Sequence, residues 1–99
     1  MKICLDLSRH CIETAARLKV EGLIRSYFKA PAPETEGQIT ALTHFLENTD
    51  FQDLRTRISR VGNPCDPQGD STAILTISKD IKSFEIHFKN QSIYQASTI

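Results

Sequence analysis

Phe84-Glu85-Ile86-His87-Phe88-Lys89 alternates without a break. Phe84, Ile86 and Phe88 fall on one side; Glu85, His87 and Lys89 fall on the other. That is the period-2 signature of a strand with one buried and one wetted face. Antiparallel sheets can leave a face to water, whereas parallel sheets are covered on both. The segment therefore points to an antiparallel sheet, and its neighbours extend it. Residues 72–79, Thr-Ala-Ile-Leu-Thr-Ile-Ser-Lys, are rich in β-branched side chains and bounded by turn formers. Residues 92–97 form a less regular strand, reached through a two-residue turn at Asn90-Gln91. Upstream, residues 62–71 are dense in Gly, Pro, Asn and Asp and read as a loop.

The preceding sixty residues carry helical periodicity instead. Over 9–29, Ile12, Ala16, Val20, Leu23 and Tyr27 recur at spacings of three and four, and Ala15, Ile24 and Phe28 widen the stripe. Ser8 is placed to cap this helix. Pro31 and Pro33 end it, because the residue before a proline is pushed out of helical geometry. Thr35-Glu36-Gly37-Gln38 matches a capping box and predicts a second helix over 35–47, with Ile39, Leu42 and Leu46 inward and Phe45 beside them. Asn48 suits the position just past its end. Thr49-Asp50-Phe51-Gln52 repeats the box and opens a third helix over 50–60, with Phe51, Leu54 and Ile58 inward.

Residues 2–7 allow two readings. Ile3, Leu5 and Leu7 alternate with Lys2, Cys4 and Asp6, as in a half-buried strand. The rival reading runs the first helix backward through Cys11, Leu7 and Cys4. The fold class expected is α+β, one domain over 1–99. Three helices pack on one face of a three- or four-stranded antiparallel sheet formed mainly by the C-terminal third. The strands fall at about 2–7, 72–79, 84–89 and 92–97.

The chain of 99 residues is 39% hydrophobic and 24% charged, ordinary for an ordered globular domain. Its formal net charge is zero, which argues against general attraction to nucleic acid or anionic membranes. The charge is blocked, however. Residues 31–54 hold five acidic groups and no basic one, and Arg55, Arg57 and Arg60 follow at once. Three cysteines make an odd number, so free thiols in a reducing cytoplasm are expected rather than a disulfide framework. No cleavable leader and no apolar run of membrane-spanning length is visible, and a cytoplasmic location is expected.

Chemistry is sparsely marked. Cys4, His10, Cys11, Cys65 and His87 lack the short gaps of a structural zinc site. Cys4 and Cys11 read as small core residues, and His87 as solvent-facing. Cys65 has Asp66 and Asp70 beside it, which would raise its pKa and dull it as a nucleophile. The four glycines build no phosphate loop. No metal and no cofactor is expected, and no enzyme, since no nucleophile–base pair stands out.

Two functions remain. The first is a small non-enzymatic protein-interaction module, self-association included, using an exposed sheet edge. Its partner is another protein or a second copy, and Tyr27 and Phe28 are interface candidates because aromatics are enriched at interfaces. The alternative is helix-turn-helix-like nucleic-acid binding through Arg55, Arg57 and Arg60 on the third helix. Asp50 and Asp53 at the end that would approach DNA count against it, and the three arginines equally suit the dipole at a helix C-terminus.

Overall fold

The N-terminal alternation resolves as a strand. In the computed structural model, which describes residues 1–61 and 71–97, β1 spans Lys2–Asp6. Three helices follow: α1 (Ile12–Lys29), α2 (Pro33–Asn48) and α3 (Phe51–Val61). The chain closes with β2 (Thr72–Ile77), β3 (Ser83–Phe88) and β4 (Gln91–Ser97). The sheet is antiparallel throughout, in the order β1-β2-β3-β4. The fold is thus α+β, with four strands rather than three.

The alternating strands deliver one apolar face. Ile3 and Leu5 from β1, Ala73, Leu75 and Ile77 from β2, and Phe84, Ile86 and Phe88 from β3 are all buried. The helices cover them with Ile12 and Ala16, Leu42 and Phe45, and Leu54 and Ile58. Phe45 packs edge-on against Phe51, ring centroids 5.6 Å apart, and lies 5.7 Å from Phe84, so it joins α2, α3 and the sheet. Full burial of such side chains stabilises by roughly 1.5–3 kcal/mol each.

Several local signals were outcompeted. Asp6 Oδ1 accepts the Ser8 amide at 2.9 Å, forming a turn that delays α1 to Ile12, so Cys11 and not Ser8 is the N-cap. Pro33 occupies the first turn of α2, where its missing N–H costs nothing, so that helix starts after Ala32 and Thr35 lies inside it. Asn48 is the last residue of α2 rather than one beyond it. At α3 the Asp50 carboxylate takes the amides of Gln52 and Asp53, while Thr49 donates back to the Phe45 carbonyl. Asp50 therefore displaces Thr49 as the cap.

The β3–β4 turn is Lys89-Asn90, one residue earlier than the sequence suggests. Both have positive φ, 52° and 63°, as a two-residue hairpin of matching twist requires. A register shift opposite Ile86/His87 then lets the consecutive residues Ile93 and Tyr94 both be buried. Ile24 and Phe28 do not widen the core stripe: α1 runs out past its buried N-terminal half, and Phe28 is 80% exposed. Ile39 is only half-buried. Cys4 and Cys11 are exposed, not core. The loop expected at 62–71 and its Cys65 lie outside the described residues, Ser71 excepted.

Candidate functional site

The three arginines of α3 diverge. Arg57 pairs with Asp53 one turn back at 3.0 Å, donates from Nη1 to the Ile93 carbonyl at 3.3 Å, and stands 5.8 Å from the centre of the Tyr94 ring. Arg55 turns the other way, toward α1, with Nη1 3.9 Å from Glu13 Oε1. Arg60 is exposed on the last turn. Helix periodicity explains the divergence, since residues two apart point nearly oppositely. Tyr27 is half-buried and Phe28 exposed; with Ile24 they border a shallow depression against Glu36, Ile39 and Thr40 of α2.

Cys11 sits at the N-terminus of α1 with its Sγ 3.3 Å from Thr14 Oγ1. Hydrogen bonds from the Thr14 side chain and backbone lower its thiol pKa, and the Arg55 guanidinium adds to this. No group of three or more His, Cys, Asp or Glu among the described residues is arranged to hold a metal ion. No described helix is long and apolar enough to cross a membrane.

The edges of the sheet differ from one another. At β4, Arg57 caps the outward carbonyl of Ile93 at the register shift, two devices that blunt an edge strand. At β1 the inner side is fully paired. Met1 and Ile77 exchange both backbone hydrogen bonds, at 3.0 and 2.8 Å, and the Leu7 amide reaches the Ser71 carbonyl at 2.8 Å. The register continues through Ile3↔Leu75 and Leu5↔Ala73. Hydrogen-bonded pairs alternate along an antiparallel ladder, so Lys2, Cys4 and Asp6 turn their N–H and C=O groups outward. Among the described residues no strand lies beyond them and no hydrogen bond takes these groups.

Beside this open edge runs a groove of about 310 Å³. Its floor and walls are Cys4, Leu5 and Asp6 of β1 and its end, His10, and Ala15, Leu18 and Lys19 of α1. Leu18 is 43% exposed there, a large apolar side chain aimed at open space. Asp6 keeps its carboxyl below the ordinary range, chiefly because the Ser8 backbone amide bonds to it, with smaller help from Arg9 and His10. An edge strand flanked by a helix, with an apolar wall and charged ends, is the arrangement that admits an added strand. The sequence pointed to an exposed sheet edge without saying which strand forms it, read Cys4 as a core residue and gave no sign of Leu18, whose place on the flank of α1 follows only once β1 is known to be the edge.

An uncharacterised protein of Archaeoglobus fulgidus is 36% identical over 61 residues, covering 58% of this chain and 72% of the relative. No solved structure matches the chain. A family model matches residues 1–87, which take in β1, all three helices, β2 and most of β3. The chain belongs to that family, whose function is uncharacterised.

Proposed function

We propose that the protein is a non-enzymatic interaction module that binds an extended segment of a protein partner along β1. The observation that carries this reading is the row of outward backbone groups at Lys2, Cys4 and Asp6 beside the exposed Leu18. Main-chain hydrogen bonds supply the affinity in strand addition, and side-chain contacts on alternate residues supply the selection. The preferred segment is apolar at alternate positions, to sit against Leu18 and Ala15. Its ends are charged to oppose Lys2 at one end and Asp6 at the other.

Cys4→Pro tests this. Cys4's N–H points away from β2, so proline there removes an outward donor and leaves the inner ladder intact; edge strands tolerate proline on the solvent side. Displayed random peptides are selected on the wild-type protein and titrated against both forms, with circular dichroism as a check on folding. Binding that shifts the amides of Lys2, Cys4 and Asp6 and disappears in the folded Cys4→Pro form is the expected result. Equal binding to both forms, or shifts confined to other elements, overturns it.

The described geometry offers less to nucleic-acid binding. Arg57 is held by Asp53, the Ile93 carbonyl and Tyr94, and Arg55 lies toward Glu13, so the three arginines do not share one direction.

A further inference from the structure

We infer that the segment β1 accepts is β1 of a second copy of the same chain; this rests on the strand-addition reading above and names its partner. Lys2-Ile3-Cys4-Leu5-Asp6 is self-complementary about its centre. Two copies placed antiparallel with Cys4 opposite Cys4 bring Lys2 of each against Asp6 of the other. All three positions are the ones whose backbone groups point outward, so each opposed pair exchanges two hydrogen bonds. Opposite charges directly across a ladder are favourable, and here they occur twice, once on each side of the two-fold axis. Any other in-phase antiparallel register leaves at least one of these charges unopposed. Parallel pairing would set like against like.

The helix layer is compatible with this join. The two-fold runs perpendicular to the sheet, so both helical layers lie on the same side and α1 of each copy faces its counterpart. α1 packs on β1 and approaches α3 on its inner flank through Glu13 and Arg55. Its outer flank carries Ala15, Leu18 and Gly22 at positions i, i+3 and i+7, one stripe on a helix. A side chain added at Gly22 would meet nothing within 4 Å, so the stripe has room for a neighbouring helix between its small residues. The antiparallel α1 pair would then cover Leu18, which a single copy leaves exposed.

Charge reversal gives the test. Lys2→Glu sets acid against acid at both pairs, and Asp6→Lys sets base against base. A mixture of the two variants restores both pairs in a heterodimer. Sedimentation of the full chain over a wide concentration range should show a wild-type monomer–dimer equilibrium, with each variant weakened about tenfold. Native mass spectrometry of an equimolar mixture should show heterodimer well beyond the twofold excess over either homodimer that random pairing gives. A wild type that stays monomeric, or variants that self-associate as well as the wild type, overturns self-pairing. If Asp6→Lys fails to fold without its bond to the Ser8 amide, Lys2→Glu decides alone, because its side chain has no partner among the described residues. A monomeric wild type that still binds selected peptides at β1 ends self-pairing and leaves strand addition standing; loss of both ends both.

Discussion

Arg57 holds the carbonyl of Ile93: its Nη1 reaches from α3 to the sheet and donates to that oxygen at 3.3 Å. The bond gives a partner to a carbonyl at the register shift of β4. It also fixes the guanidinium near Tyr94. This edge is thereby blunted at its register shift by its own chain, whereas β1 carries no such device among the described residues.

Arg57→Ala should therefore lower stability by about 1 kcal/mol, from a hydrogen bond and an exposed cation–π contact. Arg55→Ala and Arg60→Ala should stay within about 0.5 kcal/mol of wild type, as surface changes do. Urea unfolding midpoints measure all three. Equal effects would mean that Arg57 contributes nothing at the β4 edge.

Phe45→Ala should cost roughly 3–5 kcal/mol, because the ring is fully buried and touches both Phe51 and Phe84. Phe28→Ser, at the far end of α1, should change stability by less than about 0.5 kcal/mol. Thermal unfolding of the two variants separates the core from the exposed helix end; similar losses would place Phe28 in the core after all.

The hairpin turn offers a gain. Lys89 and Asn90 both occupy the left-handed region, and lysine is disfavoured there by about 1 kcal/mol or more. Replacing the pair by Asn-Gly, the residues this turn prefers, should raise stability by about 0.5–1 kcal/mol, part of the gain being offset by losing the Lys89 ammonium near the Phe88 ring. A lower unfolding midpoint in the double variant would contradict the turn assignment.

Much of the fold is legible in the residues because alternation and helical spacing are enforced by burial. Phe84, Ile86 and Phe88, and Leu42, Leu54 and Ile58, could not be placed otherwise without exposing apolar surface. The helix starts were less legible. Asp6, Pro33 and Asp50 each offered a competing local interaction a few residues from a matching Ser or Thr signal, and a linear pattern does not rank them. The candidate site was partly legible. Lys2, Cys4 and Asp6 share one side of a strand in any reading of 2–7 as a strand, but which strand is the open edge depends on sheet order. Leu18 carried no local sign, since an apolar residue off the main stripe of a helix is ordinary until the surface beside it is known.

Cys11 should titrate below an ordinary cysteine, since hydrogen bonds from Thr14 favour its thiolate. The sign follows by linkage: a pKa depressed on folding adds stability above the unfolded value, and that stability is lost as pH falls through the folded one. Alkylation rate against pH, read at Cys11 by mass spectrometry, should show a midpoint below that of the same cysteine in the unfolded chain. Thr14→Val should move the Cys11 midpoint upward. An unmoved midpoint would show that Thr14 does not set the thiol.

The most direct test of β1 as a pairing edge is hydrogen exchange at the Cys4 amide, which points away from β2. In dilute protein it should exchange quickly, while the Leu5 amide, bonded toward β2, stays protected. Raising the protein concentration, or saturating with a selected peptide, should slow Cys4 selectively along with its outward neighbours Lys2 and Asp6. A Cys4 amide that exchanges at one rate under all three conditions would contradict the account.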